Sequence, residues 1–224
     1  MVAQKTPRQL RADDTRARLF AAASELFAQR GYHGTTVDAI AKRAGVAKGT
    51  FFVHFATKDA VITELVRIQT RMAKKARAAA LPAGPLAALR ATVLMLGEQA
   101  GFSREVSRAV LSATLENAHV SGDADALFGE VFADMIVDAR AAIAAGELGE
   151  SSRPRDGELL ARALMASYLG AALHFTSSRK SGPLLETLAP LVDANLEGFM
   201  EGSHDHHPSR TRPRRSVRRD RLHK

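Results

Sequence analysis

Apolar residues recur along this chain every three or four positions, and β-branched alternation is nearly absent, so the pattern predicts helices throughout. Leu19, Ala22, Ala23, Leu26 and Phe27 mark one face of a first helix, which is expected to start after a cap at Asp13 or Asp14 and to stop at Gly31. Val37, Ile40, Ala41 and Ala44 fall at i, i+3, i+4 and i+7 in a second helix, entered through the hydroxyls of Thr35 and Thr36 and ended by Gly45. A short third helix is expected from about Lys48 to Phe55. Thr57, followed by Lys58 and Asp59, opens a long fourth helix that runs to about Ala80, where Pro82, Gly84 and Pro85 break it.

Past that break, apolar helical runs follow at about 85 to 100, 103 to 119, 124 to 146, 156 to 178 and 183 to 201, separated by GFS, SGD, ELGESSRPRDG and SRKSG. The expected fold class is all-α: an N-terminal three-helix head followed by a larger helical bundle. The expected boundaries are a flexible basic arm at 1–12, the head at 13–60 with a helix-turn-helix at about 36–55, the bundle at 61–203, and a tail at 204–224. That tail, HDHHPSRTRPRRSVRRDRLHK, has too few apolar side chains to offset its ordering entropy, and is expected to be disordered. No internal repeat is present.

The stretch AGVAKGTFFVHF, residues 44 to 55, places Phe51 beside Phe52. Neighbouring helix residues point about 100° apart, so a narrow apolar face cannot bury both. Phe51 and Phe55 are one turn apart and form the natural core pair, which leaves Phe52 on the other side with Lys48, Thr50, Val53 and His54. Two short helices joined at a glycine match the helix-turn-helix, whose second helix enters the DNA major groove. Gly45 can take the left-handed conformation that the turn requires, with Val46 packed beneath it.

Composition narrows the function. The 46% hydrophobic and 25% charged residues are ordinary for a globular chain, and the absence of cysteine excludes disulfides, thiol redox chemistry, cysteine nucleophiles and cysteine-ligated zinc. No run approaches the roughly 20 apolar residues of a membrane span, and MVAQKTPRQLRADD lacks the apolar core of a secretion signal, so a cytoplasmic protein without a membrane partner is expected. The net charge of +8 is unevenly spread. Residues 1–58 carry ten basic and four acidic side chains, 59–208 carry fourteen and nineteen, and 209–224 carry eight and one. Basic ends around an acidic middle suggest that the ends meet a polyanion.

The run TTVDAIAKRAGVAKGTFFVHFATKDAVITEL, preceded by LFAAASELFAQRGYHG, resembles the DNA-binding domain of TetR-type transcriptional regulators over about residues 14 to 62. The threonine pair, the A-G-V turn, the K-G-T helix start, the H-F end and the T-K-D cap all occur at the family's spacing. The resemblance implies that Thr36 donates to a phosphate and that Lys48, Gly49 and Thr50 open the recognition helix against phosphate or base edges. It likewise implies that His54 reaches the groove or backbone, that Lys58 grips a phosphate, and that Phe52 and Val53 belong to the DNA-facing set. The family usually has tyrosine in place of Phe52 and often serine in place of Ala47. The chain therefore lacks a phenolic hydroxyl for a phosphate and a side-chain cap worth about 1 kcal/mol; Phe52 can instead touch a thymine methyl or a sugar.

The resemblance further implies that the bundle binds a small-molecule effector and forms a homodimer through its last two long helices, placing two recognition helices about 34 to 36 Å apart on a palindromic double-stranded DNA operator. The expected function is a ligand-responsive homodimeric repressor, released from DNA by a largely apolar effector; the alternative is a DNA-binding dimer without small-molecule control. Met95, Thr114, Asn117, Met135, Tyr168 and His174 interrupt or soften apolar helix faces and are the candidate pocket residues, although core packing explains each as well. No paired carboxylates, metal-spaced histidines, phosphate loop or nucleophile triad stands out, so neither an enzyme nor a cofactor is expected. His204, His206 and His207 lie in the tail without a fixed second shell and carry no metal assignment. The arginines after Ser209 read either as a solvated charge run or, in the reading favoured here, as a source of sequence-independent affinity for phosphates. Deleting residues 204–224 should therefore lower affinity for any duplex while leaving sequence preference nearly intact, as measured by titration of specific and scrambled DNA.

Overall fold

The computed structural model describes residues 6–116, 121–148, 156–178 and 181–201, and the side chains of all of these except 113–116, 121–125, 200 and 201. The expectations for residues 1–5 and for the 204–224 tail lie outside the described residues. All regular structure among them is helical: α1 (Pro7–Arg30), α2 (Val37–Ala44), α3 (Lys48–His54), α4 (Asp59–Ala80), α5 (Pro85–Gly101), α6 (Arg104–Glu116), α7 (Ser121–Ala144), α8 (Gly157–Ser177) and α9 (Leu184–Glu201), with a 3-10 turn at Leu81–Ala83 between α4 and α5.

The first helix starts earlier than the apolar pattern indicates. Thr6 caps it: its hydroxyl accepts from the Gln9 amide at 3.3 Å, and the Gln9 side chain accepts from the Thr6 amide at 2.8 Å. Pro7 follows at the first helical position, where its missing N–H costs nothing. Residues 7–12 are thus helix rather than an arm, and neither Asp13 nor Asp14 is the cap. Their side chains are exposed, so hydrophobic periodicity could not register them. The start of α7 at Ser121 likewise takes in the SGD sequence that reads as a linker.

Two cores form. Leu19, Ala23 and Phe27 of α1, Ile40 of α2, Phe51 and Phe55 around α3, and Val61 and Ile62 of α4 build the head core, which also takes Ala109 from α6. Leu89, Leu96, Met135, Leu160, Leu164 and Leu188 build the body core together with Ala73 of α4. The fourth helix therefore belongs to both. In the body, α5 passes close to α9 at Gly97, where an added Cβ would collide with Leu188.

By length and composition α8 could cross a bilayer, contrary to the expectation that no such run exists. One face of it is buried in the body core through Leu160, Leu164, Tyr168 and Phe175, while Leu159, Leu169 and Leu173 are exposed on its other sides.

A buried ion pair fastens α4 to α7. Asp138, 2% exposed, accepts from Arg77 Nε at 2.6 Å and Nη2 at 2.8 Å, and this pairing raises the guanidinium pKa further. Removing only the cation strands a buried carboxylate. Arg77→Met should lower the unfolding free energy by about 3 kcal/mol in urea titration, and Arg77→Met/Asp138→Leu together should recover most of that loss.

Candidate nucleic-acid interface and effector cavity

Thr36 caps α2 by accepting from the Ala39 amide at 3.2 Å, which leaves its own hydroxyl hydrogen free to donate outward. Gly45 ends that helix at φ 68° and ψ 37°, the left-handed conformation that glycine tolerates without a Cβ clash. Val46 packs against the head core below the turn. Ala47 makes no side-chain cap, as its methyl dictates.

On α3, Phe51 is fully buried and stacks on Phe55 at a centroid distance of 5.7 Å, while Phe52 is 49% exposed and meets Phe51 edge-on. Lys48, Gly49, Phe52 and Val53 form the outward face, with Thr50 and His54 half-buried at its margins. Gly49 has open space where a Cβ would stand, so a polyanion's backbone can approach the helix closely there. Arg16 of α1 sets the helix in place: its Nη1 donates to the His54 carbonyl at 2.7 Å, its Nη2 pairs with Glu64 of α4 at 2.8 Å, and its guanidinium lies over the Phe55 ring. Sequence reading missed this residue because its partners lie 38 and 48 positions away.

The two lysines expected to meet phosphates differ. Lys48 pairs with Asp38 at 2.8 Å, and both side chains are more than half exposed. Such a pair is worth little and yields readily to a stronger anion. Lys58 is half-buried: its ammonium donates to the carbonyls of Tyr32 at 2.8 Å and Thr35 at 3.1 Å and sits 3.9 Å from the Tyr32 ring centroid. Burial lowers its pKa. The expected phosphate grip is thus corrected in part, because two of its three donors brace the loop between α1 and α2.

A cavity of about 620 Å³ opens where head and body meet. Phe20, Ala21 and Ser24 of α1 form one wall; the others come from α4 to α8 and the α5–α6 turn, including Gln69, Val110, Phe132 and Tyr168. Phe102, 93% exposed, also borders it. Among the described residues no lining side chain is charged.

Of the candidate pocket residues, Tyr168 lines this cavity. Met135 is fully buried in the body core, Met95 packs against that core, and His174 is exposed on α8, so these three are corrected. The side chain of Thr114 and all of Asn117 lie outside what is described. Sequence reading overlooked Gln69, though a signal existed: it falls on the buried stripe of α4 among Val66, Thr70 and Ala73. The α1 wall gave none, because Phe20 and Ser24 read as ordinary flanks of an apolar face.

Head and body together therefore describe a helix-turn-helix protein whose recognition helix is carried on an α-helical body enclosing an apolar cavity. Residues 19–65 match the family of bacterial regulatory proteins named for tetR. The chain is 50% identical over 46 residues to the HTH-type transcriptional activator FasR of Mycolicibacterium smegmatis, covering 20% of this chain and 21% of that one. It is 42% identical over 52 residues to the HTH-type transcriptional repressor KstR2 of Mycobacterium tuberculosis, covering 23% and 26%. The matched segments thus span about a quarter of these curated relatives. Among solved structures, a regulator from Pseudomonas aeruginosa superposes with a TM-score of 0.67 at 22% identity, over 89% of this chain and 94% of that one. The regulator FadR from Bacillus subtilis, in complex with stearoyl-CoA, gives 0.65 at 18% identity, over 84% and 99%. These share the fold. Residues 19–65 thus carry a domain of the tetR family, and the two named relatives that share it are regulators of transcription.

The lysine geometry separates two substitutions. Lys48→Ala should flatten the salt dependence of DNA affinity by about one unit and leave stability within about 0.5 kcal/mol. Lys58→Ala should cost about 1–2 kcal/mol in urea unfolding by stripping two carbonyls of a charged donor. Equal slopes and equal stabilities for the two variants would remove the distinction.

Proposed function

We propose that the chain is a DNA-binding transcriptional regulator acting as a homodimeric repressor, released from a palindromic operator by a small apolar effector. The observation that carries the effector-responsive part is the cavity wall contributed by α1. A molecule seated there touches the same helix that, through Arg16, holds the end of the recognition helix. Other ties make the same link: α6 gives Ala109 to the head core, and Ser112 approaches His33 at 3.4 Å. A ligand that favours one spacing of α1, α4 and α6 thereby favours one setting of the heads, and DNA and ligand oppose each other by the same coupling free energy. A cavity well above about 300 Å³ weighs against the reading without effector control.

For the DNA contacts, Thr36, Lys48, Gly49, Thr50, Phe52 and Val53 supply donors, a cation, a close approach and apolar surface for thymine methyls. His54 lies at the margin, and Lys58 retains one donor. The exposed Leu173 of α8 and Leu191 of α9, with the small residues Ala166, Gly170, Ala194 and Gly198 beside them, suit close approach of a second copy in a four-helix interface. Two-fold pairing there sets the two recognition helices on successive major grooves.

Selection from random duplexes by the purified full chain should return an inverted repeat with half-sites 10–10.5 base pairs apart, centre to centre, or a multiple of that spacing, and sedimentation should give a dimer. An effector should then lower operator affinity by about 5- to 150-fold. A monomer in solution, or no enriched repeat at moderate salt, would overturn the reading.

A further inference from the structure

The polar groups of the cavity narrow what can occupy it, and the inference here rests on the proposed role of that cavity. Gln69 Nε2 lies 2.9 Å from the Leu96 carbonyl oxygen and 2.6 Å from the Tyr168 hydroxyl. A carbonyl only accepts, so the amide nitrogen must face Leu96, which fixes the orientation of the Gln69 side chain. The second hydrogen of the same nitrogen then points at Tyr168, whose oxygen accepts it. The phenol's own hydrogen has no acceptor among the described residues, although the side chain is only 5% exposed. Burial pushes the Tyr168 pKa up to about 12, so the hydroxyl keeps that hydrogen throughout the physiological range. Cavity-lining Tyr168 thus holds a buried donor in reserve.

Among the described residues no lining side chain carries a charge that could neutralise an anion. The arginines next to the lining serines are committed elsewhere: Arg104, beside Ser103, donates to the carbonyls of Phe175, Ser178 and Ser181 and stacks on Phe175, and Arg108, beside Ser107, donates to the carbonyl of Thr176. Ser107 itself donates to the Ala100 carbonyl. The sequence from 113 to 125, which separates the lining residues Leu111 and Phe128, holds acids and one histidine but no lysine or arginine. Burying a carboxylate without a counter-ion costs several kcal/mol, whereas a neutral carbonyl that accepts one hydrogen bond loses little.

We propose that the effector is a neutral, largely apolar molecule carrying one hydrogen-bond-accepting oxygen, a ketone or ester carbonyl, which takes the Tyr168 hydroxyl hydrogen. A fatty carboxylate or an acyl-CoA is disfavoured, since each needs cations that the described residues lining this cavity do not present. Tyr168 is then the residue that sets ligand specificity, and Gln69 is the positioning residue that turns its hydrogen toward the ligand.

The test uses the full chain without DNA and follows displacement of the neutral dye N-phenyl-1-naphthylamine by 2-decanone, decane, decanoate and decanoyl-CoA at pH 7.5. In the wild-type protein 2-decanone should compete at least tenfold more tightly than decanoate or decanoyl-CoA, and more tightly than decane. Tyr168→Phe should lose about five- to tenfold for 2-decanone and little for decane, the size of one hydrogen bond. Equal or tighter binding of either anion, failure of the ketone to compete, or an unchanged Tyr168→Phe variant would overturn the inference. The comparison among ligands needs only the wild-type chain, so it decides even if the variant does not fold. A ketone that binds as expected yet leaves operator affinity unchanged would instead sink the effector reading and leave the ligand class standing.

Discussion

One helix serves two hydrophobic cores. Val61 and Ile62, near the start of α4, are buried in the head, and Ala73, about three turns later, is buried in the body. A rod of that length does not bend freely between two packed ends, because interiors at crystal-like density resist small shifts and move between discrete arrangements. The remaining ties work within that constraint. Arg77 holds the far half of α4 to α7 through Asp138, Glu64 holds its near half to Arg16, and the Lys58 ammonium braces the loop ahead of α2. The recognition helix, with seven residues and an uncapped start, depends on these supports for its position.

The cavity lies between the two cores and against both. Its walls are side chains of α1 and of the body helices, so the empty volume is a joint property of head and body rather than of the bundle alone. Under the proposed function, the route from occupancy to the setting of the head needs only a difference in fit between two settings of α1. The polar content of the site fits the same economy. Gln69 uses its amide hydrogens on the protein, and the Tyr168 hydroxyl accepts one of them.

Local chemistry was enough to read much of the head. The two short helices, the left-handed Gly45 and the inward Phe51 beside an outward Phe52 follow from helical spacing and from glycine's missing Cβ, both of which act within a few residues. The start of α1 escaped because a capping box between exposed side chains leaves no apolar trace, although Thr6, Pro7 and Gln9 were there to be read. Lys58 escaped for a different reason: its carbonyl partners are more than twenty positions away. The family resemblance marked it as a phosphate contact, and folding turned two of its donors to backbone carbonyls.

The sequence by itself determined that the chain is helical, that a helix-turn-helix occupies its first quarter, and which side of α3 looks out, since each depends on periodicity and turn chemistry between near neighbours. Only the tertiary structure decided where the cavity lies. A cavity is space left between faces of helices far apart in sequence, and no residue's type announces it: Met95, Met135 and His174 have plausible chemistry and lie elsewhere, while Phe20, Ser24 and Gln69 became walls because packing brought them to the gap.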